Sequence, residues 1–215
     1  MTNIEAEIRA KKIDPNKPIV ALTFDDGPSI YTSRILDLLQ LYGGRLSFFV
    51  EGNKVDENKS KILRALHMGN EIICHSWDHT DMTKLSGRAI KKQIYNTISA
   101  IAKVTGTVSL MFRPPYGYFN AKVEKVALKL GLAIILWSVD PKDWESRDAD
   151  AVYNSIMDEV KDGDIILCHD VHESTAKAMS RVIPELIEQG YQLVTVTELL
   201  RHKYGEIEPG RIYMR

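Results

Sequence analysis

The sequence predicts an α/β fold, a barrel of about seven parallel strands wrapped by outer helices, and three observations carry that prediction. Short apolar runs alternate with longer segments of helical period, the pattern of βα units on a largely parallel sheet. No repeat, low-complexity tract or Pro/Gly/Ser-rich linker divides the 215 residues, a length that suits one domain with at most a short extension. The unusual polar residues, Asp25–Asp26, His75, Arg113, Asp140 and His169–Asp170, each fall just past the C-terminal end of a predicted strand. Barrels and open α/β sheets build their active sites at that edge. The alternation alone suits a barrel or an open doubly wound sheet; five strand ends feeding one rim favour the barrel.

The first strand is Ile19–Phe24, a short apolar run closed by the turn formers Asp25, Asp26, Gly27 and Pro28. Thr32–Leu41 follows as a helix, then strand Leu46–Val50, helix Asn58–His67 and strand Glu71–Cys74. Gly87–Val104 is the clearest helix: Ile90, Ile94, Ile98 and Ile101 recur at three- and four-residue steps with lysines opposite. Strand Leu110–Phe112 runs into Arg113-Pro114-Pro115, whose prolines fix an extended turn. Helix Ala121–Leu130, strand Ala133–Ser138, helix Ala149–Val160, strand Asp164–Cys168, helix Thr175–Glu188, strand Gln192–Thr195 and helix Thr197–Lys203 complete the series. Residues 1–17 read as a polar N-terminal extension, 18–204 as the domain and 205–215 as a C-terminal tail.

Composition narrows the function classes. Hydrophobic residues make up 44% and charged residues 27%, ordinary globular usage that allows a sizeable core. Lys plus Arg total 28 against 29 Asp plus Glu, so a general nucleic-acid binder with a basic stripe is not expected. No window approaches the roughly 18 apolar residues of a membrane span. Met1–Asn16 lacks the apolar region of a signal peptide, so either the protein stays inside or an export segment lies outside this chain. Cys74 and Cys168 are too few for a disulfide framework.

Five constellations carry chemistry. In Thr23-Phe24-Asp25-Asp26-Gly27-Pro28-Ser29, two adjacent carboxylates repel unless something positive sits beside them. A plain turn needs one Asp; two suit one carboxylate on a metal and one free as a base. In His75-Ser76-Trp77-Asp78-His79, imidazoles four residues apart reach one cation if the segment is helical or tightly turned. The pair is weak evidence alone and gains weight from its strand end and the Asp-Asp elsewhere. Two His and one carboxylate leave a coordination position for water, as hydrolysis requires. Arg113 beside rigid Pro114-Pro115 suits pairing with a carboxylate in fixed geometry, against the alternative of a solvated loop charge. Asp140-Pro141-Lys142-Asp143-Trp144 and Leu167-Cys168-His169-Asp170 supply a strand-end His that can act as a general acid if an Asp supports its other nitrogen. Cys74 and Cys168 sit next to His75 and His169, but neighbours on a strand point to opposite faces, so both thiols are expected to pack outward. Trp137 reads as core, and His172 as a loop residue near enough to touch substrate.

The five segments in this order, TFDDGPS, HSWDH, RPPYGYFN, DPKDW and LCHD, resemble the polysaccharide deacetylase family, the NodB-homology domain of carbohydrate esterase family 4. They span residues 23 to 170. The resemblance implies a deformed (β/α) barrel and one divalent metal, zinc first, with cobalt or another divalent ion as alternatives. It implies Asp26, His75 and His79 as metal ligands, Asp25 as general base, Arg113 as its orienting partner and His169 as general acid. Asp143 is preferred over Asp140 as the support of His169. The Tyr116 backbone N–H is implied at the oxyanion, and Trp144, Leu167 and Tyr116 around the acetyl group. The expected activity is hydrolysis of N-acetyl groups on N-acetylglucosamine units of a peptidoglycan- or chitin-type polymer, by a monomer, at the cell surface or outside it, with a cytoplasmic site left open. An O-deacetylase such as an acetyl-xylan esterase shares the machinery. An inactive glycan-binding barrel would have lost a base or ligand, and none is lost. A metallophosphatase commonly needs further bridging ligands for two metals, and no spare set is visible.

Overall fold

In a computed structural model the described residues are 13–215. Residues 1–12 of the expected N-terminal extension lie outside them. The strands are β1 (Ile19–Asp25), β2 (Ser47–Glu51), β3 (Glu71–Ser76), β4 (Met111–Phe112), β5 (Ala133–Ile135), β6 (Asp164–His169), β7 (Gln192–Leu193) and β8 (Ile212–Tyr213). The helices are α1 (Thr32–Tyr42), α2 (Lys59–His67), α3 (Gly87–Thr105), α4 (Ala121–Lys129), α5 (Asp143–Ser146), α6 (Ala149–Glu159), α7 (Glu173–Glu188) and α8 (Val196–Tyr204).

The sheet runs β6-β1-β2-β3-β4-β5-β8, with β7 also on β1, and every pairing is parallel. β1 pairs with three strands. β6 takes positions 20–25 along one edge, while β7 takes Ile19–Val20 and β2 takes Thr23–Asp25. The curled sheet meets itself where the chain beyond β5 pairs Val139 with Ile166 of β6. It is a deformed barrel, as the resemblance implies.

Alternation along β1 shows why its sequence is apolar throughout. Val20, Leu22 and Phe24 join the layer packed under the helices, with Ile35, Leu36, Val182 and Ile183. Ile19 and Ala21 join a second cluster with Phe49, Ile73, Met111, Ile135 and Ile165. A strand buried on both faces has no reason to alternate in polarity. Cys168 packs in the first layer and Cys74 in a third cluster with Ile90, Ile94 and Phe112, so both thiols face away from the site.

Boundaries moved where local chemistry intervenes. The expected strand to Thr195 stops at Leu193, because Thr195 caps α8 in a capping box with Glu198. The expected strand to Ser138 is regular only to Ile135. Two elements had no sequence signal: the single turn α5, and β8 within the segment read as a tail. No helix among the described residues is long and apolar enough to cross a membrane.

Candidate active site

A cavity of about 320 Å³ opens at the C-terminal ends of the strands. Its walls include Asp25, Asp26, His75, His79, Tyr116, Trp144, Leu167 and His169, which brings together the sequence-predicted residues other than the buried pair Arg113 and Asp143. Those two lie directly behind it, as the hydrogen bonds below show. The remaining walls are Tyr118, Trp137 and Asp140; Trp137, read as core, packs against two core clusters and also lines the cavity.

Asp26, His75 and His79 each offer one ligand atom, all within 4.8 Å of one another. His75 Nε2 and His79 Nε2 stand 3.2 and 3.3 Å from Asp26 Oδ1. That oxygen is buried, yet no hydrogen bond is directed at it among the described residues. A buried acceptor without a partner is costly, and a cation in the cluster would satisfy it. The His75 Nδ1 lies 2.9 Å from the Arg113 carbonyl. A carbonyl only accepts, so Nδ1 carries the proton and Nε2 presents a lone pair, the arrangement of a metal-ligating histidine. Burial lowers the His79 pKa and keeps that ring neutral. For Asp26, burial acts to raise the carboxyl, but the hydrogen bond and positive charge that its imidazole neighbours supply when protonated, His75 first, outweigh it and hold the pKa well below the usual range. The donor set of two imidazoles and one carboxylate fits a single divalent cation.

Backbone strain accompanies this cluster. Asp26 (φ 69), His79 (φ 59) and Tyr116 (φ 60) all adopt left-handed conformations, costly for residues with a side chain. The turn at His79 lets the two imidazoles meet without a helix. The Ser76 hydroxyl accepts from the His79 N–H at 2.9 Å, and Gln93 of α3 grips both the Trp77 N–H and the Asp78 carboxylate.

One turn ties the ligand loops together. Lys54 Nζ donates to the Asp26 carbonyl at 2.7 Å and to Glu51 Oε1 at 3.0 Å. The Glu51 N–H bonds the Gly27 carbonyl and the Asn53 N–H the Trp77 carbonyl, each at 3.0 Å. Beneath the Asp26 loop lies Asp170, buried, with Oδ2 accepting from the Thr32 hydroxyl. Burial pushes its pKa up to about 7. Gly27 is required there, because a Cβ would sit 2.2 Å from Asp170 Oδ1.

On one side of the cluster, Asp25 is held by Arg113. The guanidinium is 0% exposed and donates from Nη1 to Asp25 Oδ1 at 2.6 Å and to the Thr23 hydroxyl at 2.9 Å. Its other donors meet the carbonyls of Ile135 and Leu136, and the Phe49 ring lies 3.9 Å beneath it. A charge buried this deeply is stable only when paired and hydrogen-bonded.

On the other side stands His169. Its Nδ1 is 2.8 Å from Asp143 Oδ1, and its own N–H donates to Asp143 Oδ2 at 2.7 Å. Asp140 is turned to the Lys142 N–H instead. Thr175 of α7, unsignalled by the sequence, donates its hydroxyl to Asp143 Oδ2 at 2.6 Å. Burial acts to lower the His169 pKa, but the hydrogen bond and charge of Asp143 overcome it and raise it to about 9. The ring is therefore protonated at neutral pH. Above the site, Trp144, Tyr116 and Tyr118 are 47%, 55% and 57% exposed, and Leu167 is buried in the wall.

Fold and site together define a parallel α/β barrel with a His-His-Asp cluster, able to take one divalent cation, at its catalytic edge. The sequence profile described as Polysaccharide deacetylase matches residues 12–135, and the chain belongs to that family. It is 40% identical over 192 residues to the peptidoglycan-N-acetylmuramic acid deacetylase PdaC of Bacillus subtilis, a match covering 89% of this chain and 40% of that protein. It is 37% identical over 199 residues to a peptidoglycan-N-acetylglucosamine deacetylase of Bacillus cereus, covering 90% of this chain and 93% of that one. A family 4 acetyl xylan esterase from Clostridium thermocellum, solved in complex with a cobalt ion, superposes with a TM-score of 0.85 at 36% identity, covering 91% and 97% of the two chains. The chain spans about two fifths of the length of the first curated relatives it matches.

Proposed function

We propose that this chain is a metal-dependent deacetylase that removes N-acetyl groups from an N-acetylglucosamine-containing polysaccharide of the peptidoglycan or chitin type. The observation that carries the reading is one cavity holding the Asp26-His75-His79 cluster between an arginine-held aspartate and an aspartate-held imidazolium. When bound by those three side chains, a divalent cation such as zinc or cobalt supplies polarisation of the acetyl carbonyl and lowers the pKa of water towards about 7.

The remaining work falls to the protein. Asp25 takes the proton of the attacking water, and Arg113 fixes the carboxylate that receives it. The Tyr116 N–H donates to the oxygen on which negative charge develops. His169, protonated and positioned by Asp143, gives its proton to the leaving nitrogen as the C–N bond breaks. Trp144, Tyr116 and Leu167 enclose the acetyl group and limit entry of larger acyl groups. The similarity to peptidoglycan deacetylases supports a cell-wall substrate and action at the cell surface.

An acetate-release screen on peptidoglycan fragments, chitin oligosaccharides and acetylated xylan tests the reading. Release from the amide substrates is expected, lost on chelation and restored by zinc or cobalt. Asp25→Asn is expected to lose about 10²- to 10⁴-fold in kcat while still taking up metal. Full activity of that variant overturns the assignment of the base. The likeness to an acetyl xylan esterase supports O-deacetylation as the second reading, and release from xylan alone would select it.

A further inference from the structure

Beside the catalytic cavity runs a second groove of about 560 Å³, lined by Arg147, His172, Lys177, Tyr31, Asp150 and Glu173 among others. Two side chains join it to the reaction centre. The His172 ring lies 6.0 Å from the His169 ring, and Arg147 Nε donates to the carbonyl of Trp144 at 2.7 Å. Arg147 Nη1 stands 2.7 Å from His172 Nδ1, so the guanidinium is fixed at two points. Burial and then the Arg147 charge lower the His172 pKa, which keeps the ring neutral and able to accept. Arg147 itself holds a left-handed backbone (φ 51), a conformation that persists in a residue with a side chain only where its surroundings impose it.

The carboxylates that line this groove are engaged by other partners. Asp150 pairs with Arg181, Glu173 pairs with Lys177 at 3.3 Å and Arg34 at 3.8 Å, and Asp148 caps α6 through the Ala151 N–H. Among the described residues, no carboxylate lies within ion-pair distance of Arg147. Two of its five N–H donors serve neutral acceptors, which leaves three donors and the whole charge. A pre-oriented guanidinium of this kind matches a carboxylate in bidentate geometry.

We propose that Arg147 and His172 form a subsite for an acidic substituent on the sugar next to the one being deacetylated, so that this chain prefers a carboxylate-bearing glycan to a neutral one. The inference rests on the deacetylase reading and adds to it the charge of the substrate. Arg147 touches no reacting atom; it sets which polymer is bound.

The test compares oligosaccharides of equal length: alternating N-acetylglucosamine and N-acetylmuramic acid, whose lactyl groups carry carboxylates, against chitin oligomers. Acetate release and calorimetric binding are measured for the wild type, Arg147→Gln and Arg147→Lys. Expected are a lower KM for the acidic glycan in the wild type and a rise of about tenfold in that KM in Arg147→Gln, the loss of one hydrogen bond to a charged group. The kcat and the KM for chitin stay unchanged, and Arg147→Lys recovers part of the loss. An equal rise on both glycans, or none on either, overturns the subsite. Binding that discriminates without acetate release would keep the subsite and remove the deacetylase reading; acetate release without discrimination does the reverse.

Discussion

Asp143 uses both oxygens to hold one imidazole: Oδ1 meets the ring at Nδ1 and Oδ2 meets the main chain of the same residue. This fixes both the tautomer and the charge of His169. Its pKa of about 9 means that the proton is present through neutrality and is lost as pH rises past that value. Asp143→Asn removes the negative charge while burial remains, so the pKa falls towards or below the ordinary 6.5 of histidine. The alkaline limb of kcat against pH is then expected to move down by about 2.5 units or more, with roughly a thirtyfold loss at pH 8. A limb that stays in place would remove His169 from the role of acid. Spacing alone left Asp140 and Asp143 as alternatives, because both lie near Trp144 in sequence. The one-turn helix α5, which carries Asp143 to His169, has no sequence periodicity to announce it. Thr175, and the role though not the position of Asp170, were illegible for a related reason. Each acts through contacts with chain more than 30 residues away, Thr175 on Asp143 and Asp170 on Thr32.

At the scale of elements, the site hangs on turns rather than on strands. Strand ends bring Asp25, His75 and His169 to the rim, and apolar runs broken by polar residues made those ends readable. The turns that place Asp26 and His79 are held by residues outside the motifs. Lys54, in the one-turn segment Gly52–Lys54 after β2, bonds the Asp26 carbonyl, while its neighbours grip Gly27 and Trp77. Asp26 is thereby held in its left-handed conformation beside both histidines. Lys54→Met keeps the aliphatic stem and removes the donor. It is expected to weaken zinc or cobalt binding by about 10- to 100-fold, the range found when partners behind metal ligands are removed. Thermal stability of the metal-free protein should fall as well, since the buried Glu51 carboxylate loses its cation. Calorimetric metal titration with a wild-type affinity would show that the clamp does not shape the cluster.

At the scale of the whole molecule, closure of the barrel and geometry of the base are one problem. The parallel strands and their order follow from alternating runs, but β8 is two residues long and pairs β5 far from its sequence neighbours. No local pattern signals such a strand, since its stability is entirely tertiary. Its effect reaches the site in two steps. The Tyr213 carbonyl accepts from the Leu136 N–H at 2.7 Å, and Leu136 and Ile135 in turn offer their carbonyls to Arg113. Arg113 holds Asp25, so the seam β8-β5 supports the orientation of the base. Tyr213 also buries its ring with Ile135, Val194 and Leu200, and its hydroxyl accepts from the Glu208 N–H at 3.0 Å. Tyr213→Ala is therefore expected to lower the free energy of unfolding by about 3 kcal/mol or more, as for other buried aromatic truncations. Among molecules that remain folded, kcat should fall as well, because β5 loses the packing that fixes its carbonyls under the guanidinium. Urea denaturation, with kcat measured well below the unfolding midpoint, separates the two effects. A loss of stability with an unchanged kcat would show that β5 holds Arg113 without help from the eighth strand.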